Sequence, residues 1–123
     1  MQESRALEER TALFAARSIK VCEALDVKRL KSGHLKDQLF RAATSVAANY
    51  AEAEEPESAE DFVHKLKVAM KELSEARMWL RIIGECEYVE KKRLSPLISE
   101  SLELTKMMAA SVATARRKIA SRK

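Results

Sequence analysis

Apolar residues recur along this chain at alternating steps of three and four. That spacing belongs to helices that bury one stripe against neighbours lying nearly parallel to them. Leu7, Thr11, Phe14, Ser18, Val21 and Leu25 form the first seam, flanked by Ala15, Ile19 and Cys22. They predict a helix over 4–28, with Ser4 as its N-cap. Arg29–His34 contains Gly33 and reads as a connection.

A second seam runs through Leu35, Leu39, Ala42, Val46, Asn49 and Ala53 and predicts a helix over 35–55. It is rich in small residues, which allow a close helix–helix approach. As a seam amide, Asn49 would fix register. A parallel stripe of Phe40, Ala43, Ala47 and Tyr50 widens the apolar arc beyond what one neighbour needs. Pro56 ends the helix, because the residue before a proline is pushed out of the helical region.

The third helix is expected over 59–84. Ser58 and Asp61 resemble a capping box, with Asp in place of the usual Glu. Phe62, Leu66, Ala69, Leu73, Ala76, Leu80 and Ile83 keep an unbroken alternation, with Trp79 and Ile82 on one flank and Val63 and Met70 on the other. Gly84–Tyr88 is a turn. The fourth helix extends to Ala120 and begins either at Glu90 or at Pro96, where Ser95-Pro96 would be an N-cap and N1 proline. Its inner stripe is Leu94, Ile98, Ser101, Thr105, Met108, Val112, Ala115 and Ile119, widened by Leu97, Leu104 and Met107.

Four amphipathic helices with short links make one all-α domain over 1–123, an antiparallel up-down-up-down four-helix bundle. The flanks of the last three helices exceed what one such core buries. Phe40, Tyr50, Trp79, Ile82, Leu97, Leu104 and Met107 are therefore the candidates for a homo-oligomer interface.

Composition agrees. Of 123 residues, 46% are hydrophobic and 34% charged, with only 2 Gly and 2 Pro. No apolar run approaches the roughly 20 residues of a membrane span. The N-terminal MQESRALEER lacks the apolar core of a signal peptide. A soluble cytoplasmic protein is expected, with Cys22 and Cys86 reduced.

The net charge is +4, unevenly placed. Residues 52–61 hold six acids and no base: Glu52, Glu54, Glu55, Glu57, Glu60 and Asp61. After Glu103 no acid follows, while Lys106, Arg116, Arg117, Lys118, Arg122 and Lys123 do. These six are the candidates for contact with RNA or DNA phosphates. The alternative is that they complement the helix dipole and solubilise the end.

Catalytic chemistry finds little footing. Asp61-Phe-Val-His64 has the spacing of one di-iron half-site, but it occurs once, without the second copy and further glutamates such centres use. A dipole-favoured acid and a surface histidine outweigh a metal there. Ser45 and Cys86 have no readable base and orienter beside them. Gly33 and Gly84 cannot make a glycine-rich phosphate loop. No enzyme and no cofactor are expected.

The run Gln38-Leu-Phe-Arg-Ala-Ala-Thr-Ser-Val-Ala-Ala-Asn-Tyr-Ala-Glu-Ala resembles a family motif of the form Q-L-x-R-A-x-x-S-I-x-x-N-I-A-E-G. The family is the four-helix bundles named after the 23S rRNA intervening-sequence protein. The acidic break, Asp61-Phe62 and Leu73-Ser74-Glu75-Ala76 extend the likeness over about 13–112. Tyr50 and Ala53 stand where the family usually has Ile and Gly, so Pro56 must end the second helix. The resemblance implies a bundle assembling as a ring, commonly a pentamer, and brings no catalytic residues. A related group serves as nucleic-acid-binding accessory protein to a reverse transcriptase. Two readings result: a nucleic-acid-associated homo-oligomer, or a scaffold that binds another protein.

Overall fold

The computed structural model describes residues 2–25 and 33–122, and of residues 2–5 the helical backbone alone. Four helices fill it: α1 (Gln2–Ala24), α2 (His34–Ala53), α3 (Ala59–Glu85) and α4 (Lys91–Ser121). The described residues contain no strand. The expected extension of the first helix to Lys28 and most of its connection to the second lie outside the described residues.

Contacts between side chains fix the directions. Arg41 of α2 meets Glu72 of α3 at 2.8 Å, whereas Glu52, later in α2, meets Lys65, earlier in α3, at 2.6 Å. The order reverses, so α2 and α3 are antiparallel. Arg77 reaches Ser101 at 3.2 Å and Glu60 reaches Arg122 at 3.1 Å, which makes α3 and α4 antiparallel too. Arg10 meets Glu100 at 2.7 Å, while Arg17 and Lys20 lie opposite Arg93 and Leu97, so α1 opposes α4. Each helix packs on its two neighbours in a closed cycle, with no diagonal packing among the described residues. This is an up-down-up-down four-helix bundle. Its α2–α3 seam is the broadest and its α1–α4 seam the slimmest.

The core follows the heptad stripes, with informative exceptions. The expected Leu7, Thr11, Phe14, Ser18 and Val21 of α1 are all buried, as is Leu25 just past its end. Helix α1 already runs at Gln2, so Ser4 lies within it and does not cap it. In α2 the buried stripe is Leu39, Ala42, Ala43, Val46, Tyr50 and Ala53. It passes through Tyr50, 4% exposed, and not through Asn49. The Asn49 amide donates to the Ser45 carbonyl of its own helix at 2.9 Å, and among the described residues it bonds no neighbouring helix, so it sets no register between them. In α4 the buried residues include Leu97 and Leu104, at 2% and 0% exposure, in place of Ile98 and Thr105. Tyr50, Leu97 and Leu104 are core residues of the single chain and have no surface to offer a second copy.

The ends of the helices explain their lengths. Ser58 Oγ accepts the Asp61 amide at 3.0 Å and caps α3 as expected. The return arm differs: the Asp61 carboxylate accepts the Glu57 amide at 3.1 Å, one residue earlier than a capping box requires. Helix α4 starts at Lys91 behind an extended Glu90, which places Pro96 inside it. Pro96 leaves the Lys92 carbonyl without its helical partner, and both residues are exposed, so water can meet it.

Between α3 and α4, the Tyr88 amide reaches the Ile83 carbonyl at 3.1 Å and the Glu87 amide the Gly84 carbonyl at 3.0 Å. That pair of bonds is a Schellman motif, whose C′ residue must be left-handed. Glu87 holds that position with φ 60°. Gly84 is one turn away and serves another purpose: a Cβ there would lie 3.2 Å from Leu94 Cδ1 and 3.3 Å from Lys91 Cγ. It lets α4 approach α3. Glu87→Gly is expected to stabilise the fold by about 1 kcal/mol by removing left-handed strain. Chemical denaturation checks this, and an unchanged or lower midpoint would contradict it.

Candidate nucleic-acid interface

The end of α4 is basic. Lys106, Arg116, Arg117 and Lys118 are exposed. The last three are consecutive and step round the helix by about 100° each, so they fan out instead of forming one face. Arg122 is paired with Glu60 of α3 at 3.1 Å. Lys123 lies outside the described residues.

Because α3 and α4 are antiparallel, this end of α4 shares a pole of the bundle with the acidic 52–61 turn. There Glu52 is held by Lys65 at 2.6 Å, and that bond holds Lys65 more firmly in its charged form. The two charge blocks, far apart in sequence, sit side by side. Their fields partly cancel, which weakens the pole's pull on distant phosphates.

The α1–α4 seam is fastened by charge. Arg10 Nε and Nη2 fork onto the two Glu100 oxygens at 2.9 and 2.7 Å, and Nη1 donates to Met107 Sδ at 3.1 Å. The hydrogen bond from Arg10 lowers the Glu100 pKa, against a smaller opposing effect of burial, and the charges of Arg10 and Arg17 add to it. A carboxylate with a depressed folded pKa contributes stability above its unfolded pKa and loses it as pH falls through the folded value. Glu100→Gln is therefore expected to cost about 1 kcal/mol at pH 7. The gap to the wild type should close as pH drops below the ordinary carboxylate range. Denaturation series at neutral and acid pH read this directly, and a gap independent of pH would contradict it.

On the α2–α3 side, Arg41 bridges Glu72 and Glu75 of α3. His34 and Trp79 meet edge to face with ring centroids 5.9 Å apart. Trp79, Ile82 and Met107 are half-buried, whereas Phe40 is 48% exposed. Leu13, Met78 and Leu102 are also exposed large apolar side chains and went unnoticed in the sequence, because each lies off its helix's main stripe. An open groove of about 490 Å³ runs between Phe62 at the start of α3 and Ala110, Ala115 and Lys118 of α4.

Cys22 is buried and donates to the Lys36 carbonyl at 3.4 Å; burial raises its thiol pKa. Cys86 is exposed, and both thiols are free. His64 is exposed, and no group of three or more metal-ligating side chains gathers among the described residues. No helix among them is long and apolar enough to cross a membrane.

Comparison with known proteins fits this architecture. Residues 6–110 match the family described as 23S rRNA-intervening sequence protein. A crystal structure of a protein of unknown function from the S23 ribosomal protein family of Bacteroides thetaiotaomicron is similar, with TM-score 0.83 and 28% identity. The match covers 90% of this chain and 98% of that one. No curated protein matches. With the bundle, its seams and this match over most of its length, the chain belongs to the 23S rRNA-intervening sequence protein family.

Proposed function

We propose that the chain acts without catalysis, as a cytoplasmic homo-oligomer that binds RNA through exposed cations. One observation carries the reading: past Glu103, α4 has no acid, and Lys106, Arg116, Arg117 and Lys118 stand in solvent. Oligomerisation would multiply the net charge of +4 per chain, the acidic turn included, and gather several basic ends in one particle. The exposed ring of Phe40 and the half-buried Trp79, Ile82 and Met107 supply apolar surface for it. The family resemblance favours a pentameric ring. Structured RNA should be retarded in a gel, with log affinity falling by roughly 0.7–0.9 per phosphate contact for each decade of salt. An absent or salt-insensitive shift contradicts the reading.

A second reading, a scaffold or accessory subunit for another protein such as a reverse transcriptase, has its own support. Leu13, Phe40, Met78 and Leu102 put one large exposed apolar side chain on each helix. Recovery of one stoichiometric protein partner after nuclease treatment would favour it.

A further inference from the structure

We propose that Arg17, Lys20 and Arg93 form a phosphate-binding site in the groove between α1 and α4, where the backbone of bound RNA is held. The site deepens the RNA-binding reading above and rests on it. Three observations lead there. First, Arg17 and Lys20 stand one turn apart on one face of α1, and the antiparallel packing of α4 brings Arg93 beside them, around a hollow of about 180 Å³. Second, the rest of the wall is Val21 and Leu97, 6% and 2% exposed, and no acid lines it.

Third, the cations lack firm partners. Among the described residues, neither Arg17 nor Arg93 makes a side-chain ion pair. Lys20 Nζ lies 3.7 Å from Glu23, with both side chains mostly in solvent. Glu100 is near enough to feel the charge of Arg17, but its two oxygens are taken by the Arg10 fork. Three like charges thus gather on the slimmest seam of the bundle, a repulsive arrangement that a phosphate relieves. Guanidinium forks match phosphate oxygens in a bidentate way, and the ammonium adds a third donor. No aromatic ring lines the hollow, so it suits backbone contact and not base stacking. Binding there is indifferent to sequence. The nearest acids lie outside the hollow: Glu90 one turn before Arg93, Glu23 beside Lys20, and Glu100 on the Arg10 fork.

Two variants separate the sites: Arg17→Ala/Lys20→Ala/Arg93→Ala in the groove, and Arg116→Ala/Arg117→Ala/Lys118→Ala at the end of α4. All six positions are at the surface or in an open hollow, and circular dichroism verifies that both variants keep their helices. The groove variant should bind structured RNA at least about tenfold more weakly, with the salt slope reduced by roughly 2. The α4 variant should lose less than that. Equal affinity of the groove variant and the wild type overturns the site while leaving the RNA-binding reading standing. In a parallel arm, tripolyphosphate is titrated into the wild type, and the methyl signals of Val21 and Leu97 are followed by NMR. Saturable shifts there, absent in the groove variant, support the phosphate site; if no RNA is retarded at the same time, the site's assignment to RNA falls together with the RNA-binding reading, and phosphate binding alone stands. No shift at either methyl overturns the site.

Discussion

Leu73→Ala is expected to destabilise the protein by about 2–5 kcal/mol, lowering its melting temperature by roughly 10–20 °C. Leu73 lies midway along α3, the helix that packs on both α2 and α4, and is fully buried. Leu66, Ala69, Ala76, Leu80 and Ile83 continue the same stripe at no more than 1% exposure. Removing the isobutyl group costs its transfer out of water and leaves a cavity that two neighbouring helices cannot both collapse into. Met78→Ala, on the same helix but 51% exposed, is the control and should change stability by less than about 0.5 kcal/mol. Thermal denaturation of the pair decides the matter; similar losses would mean that the stripe is misassigned.

The second large effect comes from adding volume. Ala76 is fully buried on α3. Ala76→Leu is expected to cost about 1–3 kcal/mol, because a well-packed seam must spread or force strained rotamers to admit the longer side chain. Leucine and alanine differ little in helix propensity, so the loss reports packing and not helix formation. Ala113→Leu on exposed α4 should be near neutral. A neutral Ala76→Leu would show that the small residues are incidental and not required for close helix approach.

Helix content and order were legible because each stripe repeats over several turns, so single errors average out. The exact core was less so, and the errors share one form. At a step where three or four residues both fit, the stripe can take either of two adjacent positions: Asn49 or Tyr50, Ile98 or Leu97, Thr105 or Leu104. Packing chose Tyr50, Leu97 and Leu104. In two of the three cases the larger apolar side chain won, a usable rule, since burying Asn or Thr leaves a polar group to satisfy. Leu97 against Ile98 offers no such signal. Gly84 shows another limit. It looked like a turn residue, yet Glu87 takes the left-handed position and Gly84 admits a neighbouring helix.

The charged features were legible as inventory but not as geometry. The basic end of α4 and the acidic 52–61 segment are obvious along the chain. Their meeting at one pole follows only from antiparallel packing, and Arg122 with Glu60 marks the contact. The Arg17, Lys20 and Arg93 cluster draws on both ends of the chain, and only the closed cycle of helices joins them. Its sole trace in sequence is the spacing of Arg17 and Lys20.

The protein is expected to be an oligomer that holds RNA by charge. Sedimentation of the protein with a fluorescently labelled structured RNA, followed at separate wavelengths, reads both parts at once. A multiple of the 13.9 kDa chain mass, with RNA co-sedimenting at low salt and released as salt rises, is the expected result. A 13.9 kDa species with RNA sedimenting on its own at low salt would contradict it.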